Sequence, residues 1–305
     1  MQFVDLQVNG YAGVDFNADD LSAEQLHLAC QRLREDGVAG ILATIITADL
    51  PTMASRLRRI ADIRQRDRLV SDLVWGVHIE GPFINEQPGY VGAHPPRDVR
   101  PGDVDLMKAL VEAGGGLVRL VTLAPERDPG LKVTRWLADR QILVSAGHCN
   151  ATIEELRAAI DAGLSLFTHL GNGCPMLMHR HDNIIQRALS LRQGLTMCFI
   201  ADGVHVPVAA LGNYLRLAGI ERSIVVSDAI AAASLGPGRY TLGGQSVDVG
   251  ADLVARSADG SHFIGSTATM PRMAALLGEQ LGLSNDDIQS LLLHNPRRVL
   301  GIGAK

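Results

Sequence analysis

The stretch Leu143-Val144-Ser145-Ala146-Gly147-His148 decides the fold, together with its sequel Leu164-Ser165-Leu166-Phe167-Thr168-His169. Each is a short apolar run closed by a histidine, and one helix-like segment separates them. Two such histidines from consecutive strand–helix units point at one spot when their strands are parallel neighbours, which is how a barrel holds a metal at its mouth. A third run, Val74-Trp75-Gly76-Val77-His78-Ile79-Glu80, and a fourth, Ser223-Ile224-Val225-Val226-Ser227-Asp228, each end in a carboxylate. Four polar side chains placed this way read as the centre of a metal-dependent hydrolase.

The same alternation runs the length of the chain. Strands are expected at 3–8, 40–46, 73–79, 117–123, 142–146, 164–168, 195–201 and 223–227. Val, Ile and Leu dominate them without strict alternation, as in strands buried on both faces. Helical patterns lie between, among them 22–35 with Ser22 as N-cap, 151–162 ending at Gly163 and 207–218 ending at Gly219. Eight strands alternating with helices predict an α/β fold, a closed (β/α)8 TIM-type barrel rather than an open doubly wound sheet. Residues 236–263, with Arg239-Tyr240-Thr241-Leu242-Gly243-Gly244 and Val247-Asp248-Val249, read as a short hairpin insertion after the eighth strand. Helices are expected again at 269–281 and from 285 to 293 after Ser284. No linker, repeat or low-complexity segment interrupts the pattern, so residues 1–305 are expected to form a single domain.

With 305 residues, 47% hydrophobic and 20% charged, the chain suits one large core. The net charge of −5, with no basic tract or interleaved aromatics, argues against a nucleic-acid partner. Four cysteines (Cys30, Cys149, Cys174, Cys198) show no CxxC spacing, and the first residues carry no signal-peptide pattern. No apolar run approaches the roughly 20 residues that span a bilayer. The expectation is a cytoplasmic protein with reduced thiols and no membrane contact.

A lone Glu80 before Gly81-Pro82 could simply cap a turn, but its strand-end position beside two histidines makes it a candidate ligand. Zinc accepts imidazole nitrogen and carboxylate oxygen, and a catalytic site keeps three protein ligands and one open position. Glu80, His148 and His169 supply that set for one divalent ion. Zinc is the first choice, with iron(II), manganese and cobalt able to use the same donors. His78, two residues before Glu80 and on the same strand face, reads as a buried histidine that orients the ligands rather than as one of them. Asp228 could be a helix N-cap. Facing the ligand histidines across a barrel mouth, it is instead a candidate general base and acid. His94, in Gly92-Ala93-His94, and His205, in Asp202-Gly203-Val204-His205, sit on loops that open on the catalytic face, where substrate contact is one reading and an idle surface position the other. His179-Arg180-His181-Asp182 is either a solvated helix start or an anion-binding cluster. In the first strand, Gln7 and Asn9 stand where many barrel hydrolases carry His-x-His, and neutral amides make a second metal unfavourable.

Eight segments in order resemble the N-acetylglucosamine-6-phosphate deacetylase family of the amidohydrolase superfamily. They are Asp5-Leu6-Gln7-Val8-Asn9-Gly10, His78-Ile79-Glu80-Gly81-Pro82-Phe83, Gly92-Ala93-His94, Gly147-His148-Cys149-Asn150-Ala151-Thr152, Thr168-His169-Leu170, Ile200-Ala201-Asp202-Gly203-Val204-His205, Ser227-Asp228-Ala229 and Gly265-Ser266-Thr267-Ala268-Thr269-Met270. The resemblance covers nearly the whole chain. It implies a barrel with one metal on Glu80, His148 and His169, and Asp228 as the residue that activates water and later protonates the sugar amine. His94, beside Ala93, would polarise the acetyl carbonyl, and His205 would contact the sugar phosphate. Asn172 and Gly173 would form a phosphate-binding backbone turn, and Phe263, Ile264 and Gly265 a substrate-contacting loop. Arg180 would bind phosphate from a neighbouring subunit, which implies a homodimer.

Three features depart from the family pattern. Family members usually precede the barrel with part of a small β-sandwich, which this chain is expected to lack. Gly171-Asn172-Gly173-Cys174 replaces the family's Phe-Asn-Ala-Met, and the loop from Met176 to Asn183 has its own sequence. Both changes fall where the sugar phosphate would bind. The expected activity is hydrolysis of the N-acetyl group of an amino-sugar phosphate, first of all N-acetylglucosamine 6-phosphate. The rivals are an amidohydrolase acting on another N-acyl compound, such as an N-acyl amino acid or cyclic amide, and a catalytically silent sugar-phosphate-binding protein.

Overall fold

Runs of Val, Ile and Leu buried on both faces form a sheet that has to be covered on its outside by helices. The computed structural model describes residues 1–260 and 262–303. Ser261, inside the expected hairpin insertion, and Ala304 and Lys305, in the expected domain span, lie outside the described residues. Eight parallel strands follow one another in space in chain order: β1 (Phe3–Val8), β2 (Val38–Ile46), β3 (Val74–Glu80), β4 (Val118–Leu123), β5 (Leu143–Ala146), β6 (Leu164–Phe167), β7 (Thr196–Ile200) and β8 (Ser223–Val226). This is the (β/α)8 barrel.

Its seam is made differently from the other joins. Between β1 and β8 there is only the bridge Val8–Ala229, reinforced by the N–H groups of Asn9 and Gly10, which both donate to the carbonyl of Ala229 at 2.7 and 3.1 Å. Side chains complete the closure. The Asp5 carboxylate accepts from the N–H of Ser227 at 3.1 Å, and the Ser227 hydroxyl donates to the carbonyl of Gln7 at 3.3 Å.

The outer helices start and stop where their caps dictate. Ser22 caps Ala23–Glu35 in a capping box with Gln25, and Thr152 caps Ile153–Asp161 with Glu155. Val208–Ala218 ends at Gly219, whose φ of 86° suits glycine. The helix from Asn285 continues beyond residue 293, through a π turn at Ser290–His294, to Val299. A small hairpin, Gly10–Tyr11 with Val14–Asp15, follows β1 without a clear signal in the sequence.

The insertion is a three-stranded antiparallel sheet, β9 (Gly238–Leu242), β10 (Gln245–Val249) and β11 (Ala255–Ser257). Its apolar side forms a second small core, in which Leu242, Val247, Val249, Ala255 and Ile264 pack with Ile46, Ile230 and Ala232 of the barrel mouth. Two hydrogen bonds pin it there. The N–H of Gly243 donates to Asp15 Oδ2 at 2.8 Å, and Gln245 Nε2 donates to the carbonyl of Ala93 at 2.8 Å. Among the described residues no helix is long and apolar enough to cross a membrane.

Candidate active site

Parallel strands bring all their C-terminal ends to one rim of the barrel. Glu80 is the last residue of β3, His148 and His169 lie two residues beyond β5 and β6, and Asp228 lies two beyond β8. Three of the four hold left-handed backbone: φ is 50° at His148, 31° at His169 and 50° at Asp228. Non-glycine residues rarely adopt that region, and strained positions of this kind cluster at functional sites. Here the left-handed residue turns the chain sharply off the strand so that its side chain meets the others over the barrel axis.

Glu80, His148 and His169 are buried, and their donor atoms lie within 4.8 Å of one another. Oε1 of Glu80 is 2.9 Å from Nε2 of His169 and 3.3 Å from Nε2 of His148, and it accepts from Gln7 Nε2 at 3.1 Å. His148 Nδ1 donates to the carbonyl of Tyr90 at 2.7 Å. In the neutral ring that bond leaves a lone pair on Nε2, aimed at the carboxylate oxygen. Two electron-rich atoms facing each other call for a positive charge between them, and two imidazoles with one carboxylate are a donor set for a catalytic divalent metal. Nδ1 of His169 is buried without a hydrogen-bond partner, a further sign of a site built around something besides its own side chains. Burial works against the charge on Glu80, yet the neighbouring imidazoles of His148 and His169 hold its carboxyl well below the usual range. Burial likewise opposes a charge on His169, and the bond to Glu80 outweighs it and raises the ring.

A layer of buried hydroxyls supports the ligands. His78 Nε2 is 2.7 Å from Thr122 Oγ1, which is 2.7 Å from Thr168 Oγ1, itself 2.6 Å from Ser145 Oγ. Burial pushes the His78 imidazole down to about 4, so it is neutral at physiological pH. Gly147 makes room for the chain of hydroxyls, because a Cβ there would lie 2.7 Å from Thr122 Cγ2.

Asp228 Oδ1 accepts from Asn9 Nδ2 at 2.7 Å. Burial, with the charge of Glu80, pushes its carboxyl up to about 6. A carboxylate poised there can take and return a proton near neutral pH. His94 is buried, and its Nδ1 accepts from the N–H of Thr47 at 3.3 Å. Burial drives this ring down to about 3, so it is neutral, with its proton on Nε2 as a donor.

A cavity of about 650 Å³ opens over these groups. Ala93, His94, Asn172, Gly173, His205, Phe263 and Gly265 line it, together with Glu80, His148, His169 and Asp228. Two of the expected residues, Arg180 and Ile264, do not line it. Arg180 is exposed on its loop and lies outside the cavity lining of its own chain. The side chain of Ile264 is 2% exposed and packs in the small core under the insertion, because the alternation along 263–265 turns it away from the cavity. The structure also gives residues roles that the sequence did not assign. Asn9 binds the Asp228 carboxylate, and Leu242 of the insertion and Met176 line the cavity. Asp202 lies behind His205, and its place just past the end of β7 was a readable signal, equivalent to that of Asp228.

No protein-family model matches the chain. Curated proteins do. It is 34% identical over 302 residues to N-acetylglucosamine-6-phosphate deacetylase of Bacillus subtilis, covering 98% of this chain and 74% of that protein. It is also 34% identical over 300 residues to N-acetylgalactosamine-6-phosphate deacetylase of Escherichia coli O157:H7, covering 98% and 77%. Among solved structures, a variant of the Mycobacterium smegmatis N-acetyl-D-glucosamine-6-phosphate deacetylase in complex with N-acetyl-D-glucosamine-6-phosphate superposes with a TM-score of 0.88 at 34% identity, covering 99% of this chain and 78% of that one. With this similarity along almost its full length, the chain belongs to the N-acetylglucosamine-6-phosphate deacetylase family.

Proposed function

We propose that the chain hydrolyses the N-acetyl group of an amino-sugar phosphate, first of all N-acetylglucosamine 6-phosphate, to acetate and the free amino sugar. The observation that carries this reading is the convergence of Glu80, His148, His169 and Asp228 on one cavity, in a chain 34% identical to two amino-sugar-phosphate deacetylases.

Glu80, His148 and His169 hold one divalent metal, for which zinc suits two imidazoles and a carboxylate and iron(II), manganese or cobalt are alternatives. When bound, the metal supplies Lewis-acid polarisation of the amide carbonyl and a water acidic enough to attack at neutral pH. Asp228 takes the proton of the attacking water and returns it to the nitrogen as the C–N bond breaks. His94, neutral and donating from Nε2, stabilises the oxyanion that develops on the former carbonyl oxygen. Asn9 holds the Asp228 carboxylate in place throughout.

Elsewhere in the cavity lining, the backbone turn at Asn172 and Gly173, His205 and the loop at Phe263 and Gly265 receive the sugar and its phosphate. Arg180, exposed and outside its own cavity, serves a second copy of the chain. Met176 and Leu177 on the same loop are 99% and 93% exposed, apolar surface of the kind that a second copy covers. All four cysteines are free, which suits a reduced cytoplasmic setting.

The test is acetate release by zinc-loaded protein from N-acetylglucosamine 6-phosphate, N-acetylgalactosamine 6-phosphate and the unphosphorylated sugars. Release from a phosphorylated sugar alone supports the proposal and ranks the epimers. Release from none of them, with metal bound, sinks it and directs attention to N-acyl amino acids.

A further inference from the structure

Ile46 and Leu242 form a stretch of apolar cavity wall that the reaction above leaves without a task, and both side chains are buried. Ile46 is the last residue of β2 and stands in register with Glu80, the last of β3. The next residue, Thr47, fixes the ring of His94. Its N–H donates to Nδ1 at 3.3 Å, and its hydroxyl lies 2.8 Å from the same nitrogen. Ile46 is thus flanked by the strand that ends in Glu80 and by the residue that holds His94.

Leu242 reaches the same place from the insertion. It ends β9, and Gly243-Gly244, with φ of 56° and 85°, turn the chain into β10 at Gln245. Three contacts seat this turn on the barrel mouth. The N–H of Gly243 donates to Asp15 Oδ2 at 2.8 Å, and Gln245 Nε2 donates to the carbonyl of Ala93 at 2.8 Å. A Cβ on Gly243 would lie 3.4 Å from Ile46 Cδ1, so the turn rests on that side chain. Leu242 and Ile46 share one small core with Val247, Val249 and Ile264. A wall backed by close-packed side chains resists displacement, so its shape decides what fits against it.

From this geometry we infer that Leu242 and Ile46 form the pocket for the acyl group, and that Leu242, at the tip of the insertion, limits that group to acetyl. The inference rests on the amino-sugar-phosphate reading given above. The carbonyl carbon of the amide carries three groups in one plane. Its oxygen belongs with His94 and the metal site, and its nitrogen with Asp228, the sugar lying beyond it. The methyl is left, and it needs an apolar surface beside His94 and Glu80, which Ile46 and Leu242 offer. Phe263 and Met176 belong instead to the loops that carry the sugar contacts. A longer acyl chain has to press into the packed core under the insertion, and overfilling such a core is unfavourable.

The experiment measures free amine released from the N-acetyl, N-propionyl and N-butyryl forms of glucosamine 6-phosphate and galactosamine 6-phosphate. It uses metal-loaded wild type, Leu242→Ala and Val247→Ala. In wild type, kcat/KM should fall about ten-fold or more for each added methylene, the discrimination that a hydrophobic pocket gives. Leu242→Ala should cut the acetyl-over-butyryl ratio about ten-fold or more, with a much smaller loss on the acetyl substrate itself. Val247 lies in the same core but outside the cavity lining, so Val247→Ala should keep the wild-type ratio. If Leu242→Ala does not fold, Ile46→Val carries the same test, with a smaller shift in the same direction. An unchanged ratio in the pocket variant, an equal shift in Val247→Ala, a wild type indifferent to acyl length, or failure of both pocket variants to fold overturns the proposal. No amine from any of these substrates with wild type overturns the amino-sugar-phosphate reading itself, an outcome visible before any variant is made.

Discussion

Nδ1 of His148 donates to the backbone carbonyl of Tyr90 at 2.7 Å, and this one bond decides which nitrogen of the ring faces Glu80. The ring is held in that pose between two glycines. A Cβ on Gly92 would lie 3.0 Å from its Cε1, and one on Gly173 would lie 2.9 Å from its Nδ1. Gly173→Ala should therefore displace the imidazole and lower metal affinity by roughly 10–100-fold, the range seen when the support of a ligand is disturbed. Competition with a chromogenic chelator measures this directly. Affinity equal to wild type would mean that the 171–174 loop yields and the ring stays put.

Removing the charge of Asp228 tests the proton-transfer role. Asp228→Asn keeps an oxygen for Asn9 Nδ2 and should leave the metal content near wild type. Turnover should drop about a hundred- to ten-thousand-fold, as expected for loss of a general base. A variant that keeps metal and turnover together would exclude Asp228 from the chemistry.

Asp5 gives a stability prediction with a definite sign. Burial raises its carboxyl from 3.8 to about 7 in the folded protein. The folded state thus binds this proton more tightly than the unfolded chain, so its contribution is complete below about pH 4 and is lost as pH rises through 7. Asp5→Asn keeps the acceptor for the N–H groups of Gln7 and Ser227 and removes the titration. The melting temperature of the variant relative to wild type should climb between pH 5 and pH 8. A constant difference across that range would show that Asp5 does not titrate there.

Stripping the metal should abolish activity and also lower stability, because Glu80, His148 and His169 then face one another unshielded. Zinc at a thousand times its Kd should restore about 4 kcal/mol. Glu80→Gln should lose both responses. A melting temperature indifferent to chelator and zinc would remove these three residues as the metal site.

Much of this was legible along the chain because it depends on near neighbours. The capping boxes at Ser22 and Thr152 involve residues three apart, and the helix stop at Gly219 needs only its own backbone freedom. The strands show in their runs of Val, Ile and Leu, and the site residues stand at their ends. Other features join distant segments and leave no local trace. Ser227 and Asp5, which close the barrel seam, are 222 residues apart, and Asn9 reaches Asp228 across 219. The burial of the Ile264 side chain has the same origin: whether 263, 264 or 265 faces the cavity depends on how the insertion docks against Ile46 and Ile230.

By itself, then, the sequence determined the alternation of strand and helix, the donor types at the strand ends and the family, since periodicity, caps and motif order are local properties. Only the tertiary structure decided how those donors are used. Barrel closure brings Glu80, His148 and His169 within 4.8 Å of one another, and Tyr90 selects the nitrogen that His148 presents. Burial moves Asp228 up to about 6 and His94 down to about 3, because desolvation penalises whichever form is charged. That penalty depends on everything packed around a group, which no stretch of sequence states alone.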